Sequence, residues 1–115
     1  MEKIDAIEAL AALAQENRLD VYRLLVEAGP EGIAAGEVAT ALDVSPNTLT
    51  FHFDRLRYAA LVTVRRDGRS MIYAARFDTM NDLLAYLTEN CCQGRKSCAP
   101  ASKPKSKIRR KESAK

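Results

Sequence analysis

Long apolar runs are missing from this chain of 115 residues. None approaches the roughly 18 residues that a membrane span needs. The N-terminal MEKIDAIEAL alternates charged and apolar residues at helical spacing, where a signal peptide would carry an apolar h-region. A cytoplasmic protein is therefore expected, with no membrane partner. Cysteine is scarce as well: there are three, an odd number, all between Cys91 and Cys98. They cannot staple distant parts of a fold, and a reducing cytosol keeps them as thiols, so they read as a site rather than a framework. No phosphate-cradling loop occurs, and no acid or base accompanies the cysteines. That leaves a small dithiol reductase using Cys91 and Cys92 as a remote reading; the chain is not expected to be an enzyme or to need a catalytic cofactor. There is no internal repeat.

At 12.7 kDa the chain builds one core at most. Its formal charge of +3 hides a division. Residues 1–92 carry 9 basic and 14 acidic side chains, whereas residues 93–115 carry 9 basic and 1 acidic. Beyond Cys92 the composition turns to Lys, Arg, Ser, Pro and Ala, with Ile108 the one aliphatic residue larger than alanine, too little to fold alone. Two regions follow: a folded, slightly acidic domain over 1–92, and a basic tail over 93–115 that holds the third cysteine and is expected to be disordered. The tail is either a solvated extension or an extra arm for phosphate.

Apolar spacing predicts a first helix over Ile4 to Ala14, with Ile4, Ile7, Leu10, Ala11 and Ala14 on one face. A second helix, capped by Asn17, lines up Leu19, Tyr22, Leu25 and Val26 and stops at Gly29-Pro30. A short third helix spans Ala35 to Leu42, with Val38, Ala39 and Leu42 inward. Asp43-Val44 turns the chain, and Ser45-Pro46 supplies a cap followed by proline at the first helical position. The fourth helix runs to about Tyr58. Its apolar face of Leu49, Phe53 and Leu56 leaves Asn47, Thr48, Thr50, Phe51, His52 and Arg55 largely free of core duty. The period then alternates through Val62 and Val64, turns at Asp67-Gly68, and returns through Met71, Ile72 and Tyr73 as a two-stranded ribbon with Arg65, Arg66 and Arg69 at its tip. Asp78 or Thr79 opens a last helix with Met80, Leu83, Leu84 and Leu87 in register.

The fold class is thus mainly α with a small β-hairpin: four helices, two strands and a helix, a winged helix-turn-helix. The stretch LDVSPNTLTFHFDRLRYAALVTVRRDGRSMIYAA, led by ALAQENRLDVYRLL, resembles the ArsR/SmtB family of bacterial metal-sensing repressors across residues 4–92. A helix fits the major groove, where Asn, Thr, His and Arg near its N-terminal end reach base edges. Asn47, Thr48, Thr50, His52 and Arg55 are the candidate base-reading residues. Arg65, Arg66 and Arg69 are the candidate wing contacts to phosphate or minor groove. A solvated or DNA-facing place is expected for His52, the only histidine, because a family-type zinc site near the dimer helix needs several histidines and carboxylates. Asp54 departs from the basic residue often found at the matching place and is excluded from the DNA contacts.

The sequence TENCCQGRKSC closes the last helix. Adjacent cysteines rarely pair with each other, so both thiols remain available as ligands, and Gly94 lets the chain fold back to bring Cys98 to them. Three thiolates without a fourth protein ligand suit trivalent arsenic or antimony, whose lone pair fills the fourth direction; structural zinc wants four ligands. Arg95 and Lys96 should lower the thiol pKa values. The resemblance agrees, since some arsenic-responsive members carry a vicinal pair at the end of the last helix and a third cysteine a few residues on. The Cys-Val-Cys motif that others carry ahead of the recognition helix is absent here, so the metal ligands are Cys91, Cys92 and Cys98 only. Methylarsenite selectivity, or thiol redox or other heavy-metal sensing on the same fold, are the competing readings. The resemblance further implies a homodimer through the first and last helices, in which Ile4, Ile7, Leu10 and Ala11 join Met80, Leu83, Leu84 and Leu87. Such a dimer would bind an imperfect inverted repeat of operator DNA with recognition helices about 34 Å apart.

Overall fold

The computed structural model describes residues 1–94, so Cys98 and the rest of the basic tail beyond Gly94 lie outside the described residues. The elements are α1 (Lys3–Leu13), α2 (Glu16–Ala28), β1 (Ile33–Ala34), α3 (Ala35–Leu42), α4 (Pro46–Tyr58), β2 (Val62–Asp67), β3 (Ser70–Ala75) and α5 (Phe77–Leu87), followed by a 3₁₀ turn at Cys91–Gly94. The helices and the wing are those the periodicity predicts. One strand is additional: β1 pairs antiparallel with β3, giving a three-stranded sheet in the order β1-β3-β2. A two-residue strand has too little alternation to register in a sequence. Gly32, at φ +82°, makes it feasible, because a Cβ there would stand 2.6 Å from the Tyr73 carbonyl oxygen.

The core is built from Val21, Leu25, Val38, Leu49, Phe53, Leu56 and Leu61, all fully buried. The Phe53 ring of α4 stacks on Tyr73 of β3, with centroids 3.6 Å apart and planes 3° from parallel. That pair joins the helix that would enter DNA to the hairpin that would flank it.

The structure sets the faces of α1, α2 and α5, and it corrects the cap of α2 and the register of the turn. On α1 it is Ala6, Ala9 and Ala12 that face the core, while Ile4, Ile7 and Leu10 are exposed. Alanines let α1 approach closely, and the larger residues are left on the opposite side. On α2 the cap is Gln15, whose side chain accepts from the Arg18 amide at 2.9 Å, not Asn17. Arg18 and Val21 are buried there beside Tyr22 and Leu25, while Leu19 and Val26 are exposed. On α5 only Leu83 of the expected stripe is buried; Met80 is half-buried, and Leu84 and Leu87 are exposed. The hairpin register also shifts by one. Asp67 pairs with Ser70, so Gly68 and Arg69 are the central turn residues. Of these two, Gly68 alone has positive φ, as a type II′ turn requires.

Candidate nucleic-acid interface and cysteine terminus

The helix-turn-helix is shaped by three local choices. Asp43 ends α3 in the left-handed region at φ 54°, a conformation Asp tolerates better than most residues. Ser45 Oγ then accepts from the Thr48 amide at 3.3 Å, and Pro46 begins α4. At its other end α4 closes in a Schellman arrangement: the Leu61 amide donates to the Leu56 carbonyl at 3.0 Å and the Ala60 amide to the Arg57 carbonyl at 2.9 Å. Ala60 takes the left-handed place at φ 62°.

About 100° of rotation per residue puts Asn47, Phe51, Asp54 and Tyr58 on one line of α4, opposite Leu49, Phe53 and Leu56. Asn47 is exposed at the head of that line. Thr48 and Thr50 flank it and are partly engaged with their own chain: Thr48 Oγ1 accepts from Ser45 Oγ at 3.0 Å, and Thr50 Oγ1 donates to the Pro46 carbonyl at 2.9 Å. Thr48 keeps a hydroxyl to donate and Thr50 keeps lone pairs to accept. Arg55 is exposed on the side toward α1, where it lines a cleft with Glu8, Ala11, Ala12, Tyr58 and Ala59. Asp54 and Arg57 form an exposed ion pair at 3.2 Å, which draws the carboxylate off the outermost line.

His52 is the correction. It is 5 % exposed, and among the described residues neither ring nitrogen has a hydrogen-bond partner. The residue falls at the margin of the Leu49–Phe53–Leu56 face, where an apolar period alone does not distinguish an aromatic ring that packs from one that points out. Burial, and then the nearby Arg18 charge, hold its pKa below the ordinary value, so the imidazole is neutral and inward. Placed so, it offers no edge to a base. Beside it, Arg18 is 9 % exposed, and its Nε donates to the Ala12 carbonyl at 2.6 Å. Tyr22 Oη is also buried without a partner among the described residues, and burial raises its pKa. Sequence reasoning missed the buried Arg18, and it left Phe51 off the core without giving it or Tyr58 a role; these two aromatics are 59 % and 89 % exposed. The spacing of seven between those two aromatics was a usable signal.

The wing arginines are all exposed. Arg65 donates to the Glu31 carbonyl at 3.0 Å, which ties β2 to the loop before β1. Arg66 Nε donates to the Gly68 carbonyl at 3.4 Å across the turn. No hydrogen bond or ion pair joins Arg69 to another described residue, which leaves it the most available of the three.

After α5 the chain reverses through Asn90, Cys92 and Gln93, all at positive φ. The Cys91 and Cys92 sulfurs stand 3.7 Å apart. Two thiolates each about 2.3 Å from one tetrahedral ion stand about 3.8 Å apart, so the sulfur separation matches that of two ligands on one ion, which Cys92, disulfide-bonded here, can join only once reduced. Among the described residues no group of three His, Cys, Asp or Glu side chains converges as a metal site, and Cys98 lies outside them.

A model of a helix-turn-helix domain matches residues 13–65. The HTH-type transcriptional regulator YceK of Bacillus subtilis, itself uncharacterized, is 36% identical over 73 residues, which are 64% of this chain and 72% of that protein. A Halobacterium salinarum protein provisionally named arsenical resistance operon repressor ArsR is 38% identical over 63 residues, 55% of this chain and 48% of that one. The transcriptional activator HlyU of Vibrio cholerae is 26% identical over 88 residues, 76% of this chain and 79% of its own. Among solved structures, an ArsR-like transcriptional regulator from Rhodococcus sp. RHA1 superposes with a TM-score of 0.68 at 26% identity, covering 78% of this chain and 82% of that one. These relatives are regulators, not enzymes, and no helix among the described residues is long and apolar enough to cross a membrane. With a buried helix-turn-helix core, an exposed recognition helix and an arginine-bearing hairpin in the same order, the chain belongs to the ArsR/SmtB family of winged helix-turn-helix, DNA-binding transcriptional regulators.

Proposed function

We propose that this regulator is a metalloid-responsive repressor. It binds an imperfect inverted repeat of operator DNA as a homodimer and leaves it when trivalent arsenic or antimony is held by Cys91, Cys92 and Cys98. The carrying observation is the sulfur pair 3.7 Å apart directly behind α5. The similarity to a protein named for arsenical resistance points the same way. For the dimer, exposed Ile4, Ile7 and Leu10 on α1 and exposed Leu84 and Leu87 on α5 form apolar stripes that the monomer leaves uncovered. On DNA, Asn47 with the free valences of Thr48 and Thr50 reads bases, and Arg69, Arg66 and Arg65 add phosphate contacts.

The mechanism couples the two ends of α5. Clamping Cys98 back onto Cys91 and Cys92 re-forms the turn that follows α5, shifts that helix against its dimer partner and changes the spacing of the recognition helices. A coupling of about 1–3 kcal/mol, about 5- to 150-fold in DNA affinity, suffices. Residues 1–92 supply DNA binding and dimerisation in this reading, and residues 93–115 supply the third ligand and positive charge. The test is a mobility shift on DNA from upstream of the chain's own gene, with and without arsenite: a shifted band lost on adding arsenite is expected, and a band indifferent to it refutes the sensor.

A further inference from the structure

We infer that Phe51 reads a thymine methyl group in the major groove, next to the base that Asn47 reads. The inference rests on α4 being the recognition helix and deepens that reading by naming a base. Phe51 is 59 % exposed on the outermost line of α4, one turn beyond Asn47, in the N-terminal half that enters a groove first. An exposed phenylalanine alone says little. Here, moreover, the neighbouring polar groups are partly engaged with their own chain: the Thr50 hydroxyl donates to the Pro46 carbonyl, Thr48 takes the Ser45 hydroxyl, and Asp54 is held by Arg57. Asn47 and Phe51 are what remains on that line ahead of Asp54.

The ring is also propped. Its centroid lies 6.0 Å from that of His52, with the planes tilted 58°, and His52 is fixed in the core. Phe51 lies on a different helix from the exposed stripes of α1 and α5, so the dimer face does not account for it. In the major groove the apolar feature that separates one base pair from another is the C5-methyl of thymine, and an aromatic side chain is suited to it. Asn pairs bidentately with adenine N6 and N7. Together the two side chains favour half-sites with an A·T pair and a thymine adjoining it.

The test removes the methyl from the DNA rather than only the ring from the protein. A random-sequence duplex pool is enriched on the full chain, and each thymine of one half-site in the enriched duplex is replaced in turn by deoxyuridine. Wild type should lose about three- to fivefold at one thymine, the amount one buried methyl supplies. Phe51→Ala, at an exposed position, should weaken binding to the thymine duplex at least as much and show no further response to deoxyuridine. Wild type indifferent to deoxyuridine at every position, or Phe51→Ala as sensitive as wild type, overturns the assignment. A wild type that enriches no duplex overturns the interface reading itself, and the assignment with it.

Discussion

Arg18 Nε and the Ala12 carbonyl are 2.6 Å apart across the junction of α1 and α2, in a buried setting. The guanidinium thereby satisfies a carbonyl at the C-terminal end of α1, which has no intrahelical partner. Burial first, and Arg55 second, depress the Arg18 pKa, so this cation is held by packing and hydrogen bonding without a carboxylate among the described ion pairs. Removing it as Arg18→Ala should destabilise the fold by about 1.5–3 kcal/mol, the range for a hydrogen bond to a charged group, read as a lower urea midpoint.

His52 gives the fold an acid sensitivity. Its folded pKa is depressed, so the unfolded chain takes up the proton first as pH falls below about 6.5. The stability that neutral His52 allows is full above that pH and is lost progressively below it. Denaturation midpoints should fall between about pH 6.5 and 5.5 in wild type, and His52→Leu, which cannot charge, should flatten that part of the profile.

Ala60 occupies the left-handed place of the α4 Schellman arrangement at φ 62°. Glycine is the residue that adopts this region at no steric cost, and non-glycine residues lose about 1–2 kcal/mol there. Ala60→Gly should raise stability, by about 0.5–1 kcal/mol once the extra freedom of the unfolded chain is subtracted, visible as a higher thermal midpoint.

The three wing arginines should not be equivalent. Arg69, with no partner among the described residues, should lower the slope of log affinity against log salt by about one when changed to Ala, with little effect on sequence preference. Arg65→Ala should change that slope less and also loosen the Glu31 loop that it holds, detectable as faster amide exchange around β1.

Periodicity made α3 and α4 legible to the residue, because the turn between them is written in strong local signals: Asp43 for the left-handed position, Ser45 as cap and Pro46 at the first helical place. The faces of α1 and α5 were harder to read. Both helices are apolar on more than one side, and a helix that packs inward through alanine while keeping isoleucine and leucine outside has the same period as one that does the reverse. The burial of His52 is hidden for a related reason, since it depends on packing between α4 and α2, which brings Arg18 near, and no local pattern announces that. Strand β1 is two residues long and rests on Gly32, a long-range requirement set by Tyr73. Of the cysteine site, the adjacency of Cys91 and Cys92 was visible in the sequence, and the positive φ values that turn the chain back around them were not.

Arsenite-triggered release of operator DNA decides whether these thiols are the sensor, followed by fluorescence anisotropy for wild type and for Cys91→Ser, Cys92→Ser and Cys98→Ser at matched salt. Wild type should lose DNA affinity about 5- to 150-fold on adding arsenite, while each serine variant binds DNA normally without arsenite and is not released by it. Release that persists unchanged in all three variants would rule out sensing through Cys91, Cys92 and Cys98.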